Sequence, residues 1–135
     1  MLGSGLPDLV GDDEDLTRFL TSSSQFSAQV VKSSAFLPST KDHETSVFRH
    51  GSEPRAALWA IGDQHITGNR TIHGAAIVNA RDVRGAMLEV IAAEPPPRHA
   101  AIRGWPWFGD DPELQKAQQK ERAVLIASKA LLLRR

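Results

Sequence analysis

The stretch "DPELQKAQQKERAVLIASKALLLRR", Asp111 to Arg135, contains no glycine or proline beyond Pro112. Asp111 suits an N-cap, Pro112 the first helical position, and Glu113 the positive end of a helix dipole. With no breaker after them, the run to Leu133 reads as one long C-terminal helix of two characters. Gln115 to Arg122 is polar nearly all round, whereas Ala123 to Leu133 is apolar on almost every face, with only Ser128 and Lys129 polar. A surface helix shows one apolar stripe, so the second half must be deeply buried or covered by a partner. Leu125 and Leu132 are the residues such a contact would use.

Upstream, short apolar runs alternate with turn residues. Residues 1–11, with three glycines and a proline, read as a flexible N-terminal arm, followed by a single domain over 12–135. "DDED" (Asp12 to Asp15) before "LTRFL" predicts a short helix whose first turn is acidic. Leu16, Phe19 and Leu20 form its apolar face, and the serines at 22–24 end it. Gln25 to Thr40 has no clear period and leaves a strand near Gln29–Lys32 or an ordered loop open. Thr45 to Arg49 reads as a strand. "GSEPRAALWAIG" reads as a helix with Ser52 as cap, Pro54 in its first turn and Gly62 as its stop. Strands follow at Thr71–Val78, Met87–Ala93 and "HAAIRG", with a helical turn "NARDVRG" capped by Asn79 and stopped by Gly85. The expected class is α+β: a small mixed sheet of three to five strands with packed helices and a long C-terminal helix.

Charge narrows the function. Sixteen basic and sixteen acidic residues give net zero, which argues against a dedicated nucleic-acid binder. The balance is uneven: residues 1–45 carry −4 and residues 46–135 carry +4. With no cysteine, thiolate nucleophiles and cysteine-ligated metals are excluded. No run approaches the ~20 apolar residues of a membrane span, and the N-terminus lacks a basic region followed by an apolar core. A soluble cytoplasmic protein is expected. No histidine pair stands at metal-binding spacing, "DHE" (Asp42 to Glu44) is too short to converge on one ion, and no glycine-rich phosphate loop precedes a helix, so neither metal nor cofactor is expected.

Two stretches carry possible chemistry. "VFRHGSEPR", Val47 to Arg55, resembles the Arg-His-Gly motif of the histidine phosphatase superfamily, whose acid-phosphatase branch continues with a basic residue and a proline. The resemblance implies His50 as the nucleophile that accepts a phosphoryl group, Arg49 and Arg98 as phosphate ligands and His99 as the second histidine. It covers about ten residues. The architecture departs from the family: the motif begins 48 residues into the chain, only 84 residues follow Gly51, and the usual acidic proton donor has no clear counterpart. A strand end followed by a turn is the favoured interpretation.

Independently of the family, seven arginines and no lysine lie between Ser46 and Phe108, with four of the five histidines. Guanidinium forks match phosphates and carboxylates. If Arg49, His50, His73, Arg98 and His99 gather on one sheet edge, an anion pocket follows. The other stretch, "GWPWFG" (Gly104 to Gly109), sets Trp105, Trp107 and Phe108 in a loop, as a core plug or as binding anchors. The expected function is a non-enzymatic accessory module. It would bind another protein or a second copy of itself through the aromatic loop and the apolar end of the last helix. The alternative is an enzyme or sensor of phosphate or nucleotide ligands, with His50 or His99 catalytic and Arg49, Arg98 and His73 binding the anion.

Overall fold

The structure is a computed structural model and describes residues 4–50, 53–66 and 68–135. Its centre is β1 (Asp15–Leu20), where a helix is predicted. Leu16 and Leu20 enter one core and Phe19 the other, while Thr17 is also buried. A strand buried on both faces shows no alternation of apolar and polar residues, and its spacing can mimic that of a helix. β1 pairs antiparallel with β4 (Thr45–Arg49) on one side and with β5 (Gly74–Asn79) on the other.

The sheet is larger than the three to five strands expected. It holds six, in the order β6-β7-β4-β1-β5-β8, and every pairing is antiparallel. β6 is Glu89–Ala92, β7 is His99–Arg103 and β8 is Leu131–Arg134. Residues 26–31 form a separate hairpin of β2 (Phe26–Ser27) and β3 (Val30–Val31).

The long C-terminal helix is present as α3 (Pro112–Lys129), with the Asp111 carboxylate accepting from the Leu114 N–H at 3.0 Å. It ends four residues before Leu133. Ala130 turns extended, and Leu131–Leu133 become β8, paired with Ile77, Ala76 and Ala75 of β5. Leucine has good helix propensity, and no glycine or proline marks the change. The open edge of β5 overrides the local preference. The segment that looks apolar all round is thus a helix end with one buried stripe, Ala123, Ile126 and Ala127, followed by a strand.

The two faces of the sheet hold two cores. Leu16, Val47, Ala76, Val78, Val90 and Ile102 pack beneath α3, α2 (Ala80–Gly85), Phe36 and Trp105. On the other face Phe19, Phe48, Ala75 and Ile77 meet Leu58 of α1 (Leu58–His65) and Ile72. α2 has its expected Asn79 cap, which accepts from the Arg81 N–H at 3.1 Å. In α1 the expected Ser52 cap lies outside the described residues. Gly62 is within the helix rather than at its end, because a Cβ there would lie 2.7 Å from Phe19 Cε1. Its role is close approach of helix to sheet.

The stretch expected as a loose arm is tied down from Ser4 onward. Ser4 bonds Glu94, the Pro7 carbonyl accepts from Arg49, and Val10 is buried. Three of the four acids of "DDED" also find partners. Asp12 pairs with Arg84, Asp13 with Arg81 and Glu14 with Arg49, so the negative first third of the chain is matched to arginines of the positive remainder.

Candidate functional site

Arg49 ends β4, and each nitrogen of its guanidinium makes a hydrogen bond. Nε and Nη2 donate to the two Glu14 carboxylate oxygens at 2.8 and 2.9 Å, and Nη1 donates to the Pro7 carbonyl at 2.7 Å. Its side chain is 1% exposed. All three nitrogens are engaged and the side chain is enclosed, so Arg49 serves as an internal clamp between β4 and the N-terminal segment. Glu14 is pushed up by its burial, but Arg49 and the Gly11 N–H outweigh this and hold its carboxyl below the usual value.

His50 is also internal. Its Nε2 hydrogen-bonds the Thr17 hydroxyl across the sheet. Burial holds the imidazole pKa below its ordinary value, with Asp15 opposing the shift and Arg55 and Arg98 adding to it. Arg98 reaches back with a left-handed backbone (φ 70°) and donates from Nη1 to the His50 carbonyl at 2.5 Å. Its Nη2 lies 3.3 Å from Glu53. These contacts hold Arg98 against His50 and Glu53. Arg49 ends a strand as expected, and Gly51, where the expected turn falls, lies outside the described residues.

His73 does not join this group. It directly precedes Gly74, which pairs with Leu20, whereas Arg49 pairs with Leu16 at the opposite end of β1. It is exposed. The anion pocket expected from Arg49, His50, His73, Arg98 and His99 is not assembled. His99 instead pairs opposite Phe48, with its Nε2 2.6 Å from the Ser46 hydroxyl.

The aromatic loop divides. Trp105 is buried and its indole N–H donates to the Ile102 carbonyl at 3.3 Å, which makes it a core plug. Trp107 is 50% exposed, with its ring 3.7 Å from that of His43. Phe108 is half-buried, and its backbone N–H is held by Gln115.

The C-terminal residues divide likewise. Leu132 turns into the main core and Leu133 packs on the opposite one. Val124, Leu125 and Leu131 stay 47%, 51% and 46% exposed. Val124 faces Val30 and Val31 of the hairpin across a groove of about 560 Å³ that Ala127 and Ala130 floor. A second depression, between Ala28, Gln29 and Leu131, continues it toward β8. Val30, Val124 and Leu131 are thus the surface residues that the helical expectation missed. For Val124 and Leu131 the signal in the sequence was the excess of apolar residues beyond Glu121, visible without showing which of them face outward; Val30 had no such signal.

No protein-family model, curated protein or solved structure matches this chain. No helix among the described residues is long and apolar enough to cross a membrane.

Proposed function

We propose that the protein is an interaction module whose occupant is a second copy of the same chain, joined through β8 and the adjoining surface of α3 and the hairpin. The observation that carries this reading is the half-exposure of Val124, Leu125 and Leu131 near the end of the chain, while Leu16, Leu20, Leu58 and Leu88 are enclosed. β8 is the last strand of its sheet; among the described residues no further strand pairs with its outward side, which the hairpin residues Ala28 and Gln29 adjoin. Edge strands are ordinarily guarded by lysine, proline or a bulge. Leu131 to Leu133 carry none of these. A chain of zero net charge meets no long-range repulsion from its own copy. A two-fold contact would set the same strand against itself and continue the sheet.

Sedimentation of the wild type and of Leu131→Lys tests this. The wild type is expected at twice the 14.7 kDa chain mass. Leu131→Lys, which places a guard charge on the edge, should be folded and monomeric. A monomeric wild type at ~100 μM, where a micromolar contact would be filled, overturns the reading. So does stable association of the wild type only with a different protein.

A further inference from the structure

Five of the seven arginines between Ser46 and Phe108 face carboxylates: Arg49, Arg81, Arg84, Arg98 and Arg103. Arg55 and Arg70 do not. Arg70 shares this with Arg18 of the central strand. Among the described residues neither stands in a salt bridge. The two line one cavity of about 200 Å³ on the α1 face of the sheet, together with Ser46, Phe48, His65 and His99. Among the described residues no carboxylate lines it.

One of the two guanidinium groups is built in, and the other is exposed on its loop. Arg18 is half-buried, its Nε donating to the Ala35 carbonyl at 2.8 Å and its Nη1 to the Ser46 carbonyl at 3.1 Å. Carbonyls orient a guanidinium but do not neutralise it. Burial, with the nearby Arg70 charge, holds Arg18 below its ordinary pKa range. Burial and the neighbouring His99 do the same to His65. His99 Nδ1 lies 2.9 Å from the Ala93 carbonyl, which can only accept, so Nδ1 carries a proton. With His99 neutral, Nε2 accepts from the Ser46 hydroxyl. With His99 protonated, Nε2 donates to Ser46, whose hydroxyl is then free to donate into the cavity. Phe48 stacks on His65 (4.9 Å between centroids, 11° between planes) and meets His99 edge-on, which fixes both rings.

We propose that this cavity binds a small phosphate monoester. Its phosphoryl group would lie against Arg18 and Arg70, and its organic part against the Phe48–His65 stack. Two positive charges match a dianion, whereas a monocarboxylate leaves one guanidinium uncompensated. Tetrahedral phosphoryl oxygens also accept donors from several directions, which suits groups arriving from β1, β4, α1 and the loop carrying Arg70. The site is independent of the β8 edge and uses neither Arg49 nor His50.

Phenyl phosphate titrated into the protein, with the histidine ring signals followed by NMR, tests it. The expected result is a saturable shift of the His65 and His99 signals. Arg70→Ala should weaken binding by about tenfold or more, the effect of one charge-assisted hydrogen bond. Arg81→Ala, whose arginine is exposed and away from the cavity, should leave it unchanged. Benzoate should bind more weakly. Arg70 is exposed and makes no salt bridge among the described residues, so its loss tests the site without opening the core. Three outcomes would each overturn the proposal: unmoved histidine signals, equal affinity of wild type and Arg70→Ala, or benzoate binding as tightly as phenyl phosphate.

Discussion

Arg49 shows how a residue type that suggests chemistry can serve structure. Its fork holds Glu14 in a bidentate pair, and the remaining nitrogen holds the Pro7 carbonyl. Substitution by methionine keeps much of its volume but strands Glu14. Arg49→Met should lower the unfolding free energy by about 3 kcal/mol in urea denaturation, as expected when one member of a buried pair is removed. The buried histidine adds a pH dependence. The folded chain keeps His50 neutral, and the unfolded chain protonates it near pH 6.5. His65 is shifted in the same direction. Below that value the unfolded state binds protons that the folded state resists, so their contribution is complete above about pH 6.5 and is lost as pH falls toward the folded pKa values. The carboxyl of Glu14, held below 4.5 when folded, adds a further loss as pH falls below that value and through its folded pKa. The urea midpoint should therefore be lower at about pH 5.5 than at about pH 7.5, and His50→Gln should reduce the difference. An unchanged midpoint would contradict the burial of His50. None of these partnerships was legible in the sequence. Glu14 and Arg49 stand 35 residues apart, and only the antiparallel pairing of β1 with β4 brings them together. The basic cavity was equally hidden, although Arg18 gave one sign: a lone charge within the apolar run "LTRFL".

At the scale of elements, local signals were reliable where a cap or a turn determined the structure. Asn79, Asp111 and Pro112 begin their helices as read, and Thr45–Arg49 is the strand expected. The signals failed where tertiary contact decided, at β1, buried on both faces, and at β8, recruited by the edge of β5. Two glycines test that account. Gly62→Ala would gain up to about 1 kcal/mol in helix propensity. Its new Cβ would lie 2.7 Å from Phe19 Cε1 and 2.9 Å from Ile72 Cδ1, and such overpacking costs ~1–3 kcal/mol. Net destabilisation in thermal or urea unfolding is expected, and a gain in stability would show that α1 does not approach β1 this closely. At Gly74 a Cβ would meet the Leu133 carbonyl oxygen at 2.8 Å. That neighbour is backbone and cannot rotate aside. Gly74→Ala should loosen β8 selectively, seen as faster amide exchange over Leu131–Arg134 while β1 and β4 stay protected. Uniform exchange behaviour across the sheet would argue that β8 is not docked on β5.

Across the whole molecule, the α+β class and the C-terminal helix followed from composition and caps, while the size of the sheet did not. Two strands were missing from the reading because each had been assigned to a helix. The six-stranded sheet has two edges of different character. At β6 the exposed Glu89 lies beside Arg103, and three prolines follow the strand. At β8, Leu131 is half-exposed beside the groove lined by Val30 and Val124, and Arg134 is the one charged residue of the strand. The proposed self-association belongs to this second edge. The most direct measurement is amide hydrogen exchange of the wild type at low and high protein concentration. The account predicts that the amides of β8 that do not bond to β5 become protected as concentration rises, while those of β6 do not change. Exchange at β8 that is fast and independent of concentration would contradict it.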